Sequence, residues 1–241
     1  MTAAPDVRTT TSPRWALIAA LALLASAALQ LQAAAQRWVT ASGSRAPGDR
    51  SIEDHLFDYS MPAEPWEAVG TAAQVFGVGT LLLAAGVLAL MRALSPRVLA
   101  PAAVAVAAVF ALDGVHALVS GLLGTPTPLG ATWLQLVLSI VPVVGLVALA
   151  VAVLRRAPSL AAAYVLLLGS SLPGQLIAIF SIAPTIMGYA SHDTTPWSEA
   201  VIAATTGAAG LAALVTAAVS ALRSRRARVA RRDSAPRVDP A

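Results

Sequence analysis

Asp113, His116 and Ser120 are the residues of this 241-residue chain whose types and spacing could do chemistry within an apolar run. Steps of three and four residues put all three on one face of a helix. A charged aspartate near a bilayer centre costs roughly 2.5–3.5 kcal/mol, so Asp113 is expected to face the interior of a helix bundle and to take a partner or a proton. His116 is the nearest candidate partner. The chemistry this predicts is a proton or ion relay, or a polar substrate site. The plainer alternative is an interhelical hydrogen-bond clamp. A hydrolase is not expected, because three groups on one helix face cannot converge as a catalytic triad must.

A second polar group interrupts another apolar run: Gly169, Ser170, Ser171, Leu172, Pro173, Gly174, Gln175. Proline removes a backbone hydrogen bond and clashes with the preceding turn, so this stretch predicts a kink or a local unwinding. Discontinuous helices of this kind line binding sites in transporters, and Ser170, Ser171 and Gln175 are the side chains that would complete a site with Asp113. Proline also simply kinks many membrane helices, which is how Pro142 and Pro184 are read. His55 beside Asp54 and Asp58, and His192 beside Asp193, carry donor atoms that suit zinc or manganese, but they read as solvated loop residues. No metal site is expected from them.

The elements that position these residues follow from composition. Hydrophobic residues make up 57% of the chain and charged residues 12%, more apolar surface than a water-soluble domain of this size can bury. Aromatic residues at 5% argue against a β-barrel with aromatic girdles. The fold class expected is all-α, a polytopic transmembrane helical bundle. Crossing the hydrocarbon core takes about 20 apolar residues, and six runs qualify, near 15–35, 66–90, 99–122, 131–154, 160–187 and 200–222.

Arginine sets the expected orientation. All sixteen basic residues are arginine, which together with the alanine content fits a GC-rich bacterial genome. Thirteen of them flank the ends of the runs that lie inside if both termini are cytoplasmic, against Arg37, Arg45 and Arg50 on the opposite side. The net charge of +4 is explained by this topology, and no nucleic acid partner is expected. The outer side carries Asp49, Glu53, Asp54, Asp58, Glu64, Glu67, Asp193 and Glu199. Within the outer loop 36–65, the part up to Arg50 reads as irregular coil, and 51–59 as a short surface helix capped by Ser51. Pro65-Trp66-Glu67 and Pro196-Trp197-Ser198-Glu199 resemble each other as helix openings, with proline in the first turn, tryptophan at the headgroup boundary and a carboxylate at the positive helix end. Trp15 and Trp133 read as further interface anchors.

The first run, with Ala33, Ala34 and Ala35 at its end, imitates a cleavable signal peptide, but it spans a full membrane thickness and is expected to be retained. Residues 1–222 form one transmembrane domain. Residues 223–241 form a basic cytoplasmic tail, disordered or lying on the surface, whose arginines suit anionic lipid headgroups. Glycine at 77, 79, 114, 121, 207 and 210 marks close helix contacts.

There is no cysteine, which excludes disulfides and thiol chemistry. No glycine-rich phosphate loop, nucleophile elbow or HExxH motif is present, so neither a cofactor nor an enzyme activity is expected. The leading expectation is a non-enzymatic accessory or scaffold subunit of the bacterial plasma membrane, in contact with the lipid bilayer and with a membrane-protein partner. The alternative is a small secondary transporter or proton-linked permease using Asp113 and His116.

Overall fold

The structure is a computed structural model and describes residues 11–41, 52–94, 97–191 and 193–233. Ser51, His192 and the arginines Arg8, Arg45 and Arg50 lie outside the described residues, as does 234–241. Among the described residues there is no strand. Helix α1 (Pro13–Ala35) opens on Pro13, whose missing N–H costs nothing in a first turn, and runs on through a π-helical turn at Gln36–Thr40. Helices α2 (Ala72–Leu94) and α3 (Ala100–Leu123) follow. Helix α3 stops at Gly124, which takes the left-handed conformation (φ 71°) and returns its N–H to the carbonyl of Ser120 at 2.8 Å.

The fourth run is two helices, α4 (Thr132–Leu138) and α5 (Ile140–Val153), joined at Ser139. Pro142 has no N–H to offer the carbonyl of Leu138, and the helix breaks just there. The fifth run is broken outright. Helix α6 (Pro158–Leu167) ends in a 3-10 turn, Leu168–Ser170, and Ser171 is extended (φ −93°, ψ 165°). Then come α7 (Leu172–Ile177), a π turn at Ala178–Ile182 and α8 (Ala183–Met187). The two halves meet at 66°, as the Ser170 to Gln175 break predicts. Helix α9 (Ser198–Asp233) closes the chain. Five helices are long and apolar enough to cross a membrane, six if the bent pair counts as one span, which fits a multi-pass membrane protein.

The spans pack in a ring in chain order: α1 against α2, α2 against α3, α3 against α5, α5 against α6, α6 against α9, and α9 back against α1. The α2–α3 contact is closest where Gly77 meets Gly114. A Cβ added to Gly77 would stand 2.6 Å from the Gly114 carbonyl oxygen, so these two positions must lack side chains for the helices to approach. One half of the ring is filled by an apolar core containing Leu23, Leu83, Leu90, Phe110, Leu146, Leu149, Leu160 and Tyr164.

The other end is closed by residues 52–71, and here the structure departs from the sequence reading. Helix α2 begins at Ala72, six residues after Trp66. Trp66 is buried in a second core with Trp38, Ile52, Tyr59 and Val69, and its indole N–H donates to the Asp58 carbonyl at 3.0 Å. The resemblance between the two proline-tryptophan segments is therefore one of sequence alone: only the second opens a helix, with Trp197 at φ 69° just before Ser198. The expected surface helix at 51–59 is a single 3-10 turn, His55–Phe57, capped by Asp54, whose Oδ1 accepts the Leu56 N–H at 2.8 Å. The stretch Ala33 to Ala35 lies inside a helix that continues to Thr40, with Ala33 and Ala34 in the core of the cap. At the far end α9 stays helical to Asp233, so the first part of the arginine-rich tail is a helical extension and not coil.

Candidate functional site

Asp113 sits ten residues before the end of α3, about 15 Å along its axis. Its Oδ1 is shielded from solvent and has no hydrogen-bond partner. The side chain lines a cavity of about 50 Å³ between the apolar core and the cap, together with His116, Gln30 of α1, Gln135 of α4, and Ser170 and Gln175 at the broken span. An adjoining cavity of about 180 Å³ shares Asp113, Gln135, Ser170 and Gln175 and adds Ser139 and Ser171. A third, of about 110 Å³, continues from Gln30 and Gln175 towards Asp58, Tyr59 and Glu199 under the cap. Gln30 of α1, Thr80 of α2, Gln135 of α4, and Ser170 and Gln175 of the broken span thus bring amides and hydroxyls from four spans around the Asp113 carboxyl, which the Gln135 amide hydrogen-bonds and whose Oδ1 stays open.

Five of the six residues singled out from sequence, Asp113, His116, Ser170, Ser171 and Gln175, line these cavities. Ser120 does not: its hydroxyl accepts the Thr127 N–H at 3.0 Å and lies 3.4 Å from His116 Nδ1. The expected Asp113–His116 pair does not form, and no hydrogen bond or ion pair joins the two. One turn of α3 separates them, and the imidazole is held elsewhere. Its Nε2 lies 3.0 Å from the Pro62 carbonyl and its Nδ1 2.7 Å from the Thr127 hydroxyl. A carbonyl only accepts, so Nε2 carries a hydrogen and donates, leaving Nδ1 to accept from Thr127; both ring nitrogens of a neutral imidazole are satisfied. His116 is a latch tying the cap and the α3–α4 connection to α3. At the break, Ser171 Oγ donates to the Leu168 carbonyl at 2.6 Å, while Ser170 Oγ and Thr206 Oγ1 are hydrogen-bonded across to α9 at 3.0 Å.

No family model, curated protein or solved structure matches the chain. What the site does must be argued from its own chemistry.

Spacing did not single out Gln30 and Gln135, although the signal was present: each is an amide inside an apolar run. A larger surprise is Arg37, read as part of the irregular coil of the outer loop and found fully buried in the helical turn that continues α1. Its guanidinium donates to Glu199 Oε1 at 2.9 Å and to the carbonyls of Ile52 and Asp54, and stacks 4.5 Å from the Trp38 ring centroid. Trp38 Nε1–H donates to Glu199 Oε2 at 2.7 Å. The node joins the end of α1, the start of α9 and the cap. Tyr59 lies in the same cap; burial, and then the carboxylates of Glu199 and Asp58, hold its phenol well above the usual range, so it is neutral.

The two acidic loop segments are also neighbours. The Thr194 N–H donates to the Glu53 carbonyl at 3.0 Å, and donor atoms of Asp54, His55 and Asp193 fall within 4.8 Å of one another. Asp58 is not among them, since its Oδ1 accepts the Ser60 N–H and hydroxyl.

Proposed function

We propose that the chain is a small secondary permease of a bacterial plasma membrane, with both termini cytoplasmic, whose substrate site surrounds Asp113. The observation that supports it is the orphan carboxylate oxygen of Asp113 inside a polar lumen built by four spans at the break of the fifth. The Gln135 amide hydrogen-bonds the carboxyl, but a purely structural aspartate would have both oxygens satisfied, since each unsatisfied buried polar atom costs about 1–3 kcal/mol. A carboxyl that must accept and release a ligand or a proton has to leave that position open. The broken span supplies the other ingredient of such sites, backbone that departs from helix geometry only where it faces a cavity.

Asp113→Asn is expected to abolish solute-coupled proton flux in proteoliposomes while leaving the protein monodisperse in detergent. Unchanged flux in the variant would sink the reading. The orientation rests on the arginine distribution, and a reporter fused after Ala241 is expected to be active only on the cytoplasmic side; activity on the outer face would overturn it. Arg223, Arg225, Arg226 and Arg228 are exposed on the helical extension of α9, where each is worth about 1 kcal/mol against anionic headgroups.

The second reading, an accessory or scaffold subunit, is favoured by the tied cap, which presents one fixed surface made from two loops. Purification in mild detergent with a stoichiometric companion, combined with flux indifferent to Asp113, would favour that reading over the permease.

A further inference from the structure

The three adjoining cavities carry one sign of charge. Their ionisable walls are the acids Asp113, Asp58 and Glu199, with Tyr59 and His116, whose two ring nitrogens are both engaged by Pro62 and Thr127, and among the described residues no arginine lines any of them. Arg37, next to Glu199, spends its guanidinium on that carboxylate and two carbonyls. Glu199 is therefore compensated and Asp113 is not.

We propose that the substrate is a small organic cation, an ammonium ion bearing short alkyl groups, that pairs with the Asp113 carboxylate. This rests on the permease reading of the cavity and names its substrate class. A buried carboxylate without a counter-charge is costly, and a cation entering the lumen supplies both the charge and the hydrogen bond that Oδ1 lacks. The remaining walls select among cations. Phe76, Phe110 and Met61 line the space around the carboxylate, apolar surfaces that suit the alkyl groups of such a cation. A hard metal ion would need six or more oxygen ligands, and one carboxylate with scattered amides is too few. An anion finds no cationic side chain, and Pro173 removes one of the N–H groups that the start of α7 would otherwise present.

The test uses the full chain in detergent, titrated by calorimetry and thermal unfolding with chloride salts from ammonium through methylammonium to tetraethylammonium, with acetate and glycerol as anionic and neutral controls. At least one alkylammonium is expected to bind with one-to-one stoichiometry, to be weakened at least about tenfold in Asp113→Asn, and to be retained in Asp113→Glu, which keeps the charge. Binding unaffected by Asp113→Asn overturns the proposal, and so does a panel in which no ammonium binds. If no ammonium binds but Asp113→Asn still abolishes proton flux, or if acetate or glycerol binds in an Asp113-dependent way, the permease reading stands and the cation falls. If neither binding nor flux depends on Asp113, both fall. Should the asparagine variant be unstable, Asp113→Ser, which also removes the charge, takes its place, and alkylammonium binding undiminished in it overturns the proposal.

Discussion

Glu199→Ala is expected to destabilise the protein by about 3–5 kcal/mol, the cost of leaving a buried guanidinium without its counter-ion. Arg37 has no solvent exposure and Glu199 is 8% exposed, so bulk water screens the pair little. Removing the carboxylate strands Arg37 and also takes the acceptor from the Trp38 indole N–H and from the Ser198 hydroxyl, which donates to Oε2 at 3.2 Å. The loss should be local before it is global: the node joins the end of α1 to the start of α9, so the cap should become protease-sensitive at temperatures where the spans are still folded. The double variant Arg37→Met/Glu199→Leu, which removes both charges and keeps volume, is expected to recover most of the loss. Thermal unfolding in detergent reads both. A loss below about 1 kcal/mol in Glu199→Ala would mean that the pair is solvated and the cap loosely seated.

The spans were legible because they depend on a quantity that sequence carries locally, enough apolar residues in a row to cross the hydrocarbon. The break at Ser171 was legible for the same reason: Gly169, Pro173 and Gly174 act on their own backbone. The start of α2 was not, although Trp66 to Leu90 reads as one apolar run. Trp66 and Val69 are apolar because they bury in the cap against Trp38 and Tyr59, and hydropathy cannot tell a core from a lipid face. Arg37 was read as loop coil because nothing in its own segment shows that Glu199, 162 positions away, meets it and holds the helix on to Thr40. Helical spacing put Asp113 and His116 on one face but could not say that Pro62 and Thr127 occupy the imidazole. The lumen around Asp113 needed the ring closure of α9 on α1, which no local pattern encodes.

Replacing His116 by alanine separates the latch from a proton relay. In the structure the ring holds the Pro62 carbonyl, which is buried, and the Thr127 hydroxyl, which is half-buried, and its loss leaves both without this partner. At about 1–3 kcal/mol for the buried carbonyl and up to about 1 kcal/mol for the half-buried hydroxyl, His116→Ala is expected to cost about 1–4 kcal/mol, seen as a lower unfolding midpoint in detergent. Gly130→Ala disturbs the same latch without removing any of its hydrogen-bonding atoms: a Cβ there would stand 2.5 Å from His116 Nε2, so the ring must move off the Pro62 carbonyl. The two variants should destabilise in parallel. Neither removes the Asp113 carboxylate, so the fraction that remains folded should still bind an alkylammonium, although His116 lines the same cavity, with a smaller loss than the roughly tenfold or greater one in Asp113→Asn. If His116→Ala were instead fully stable and devoid of proton flux, the imidazole would be carrying protons rather than holding the cap, and Asp113 and His116 would have to meet in a second conformation of the bundle.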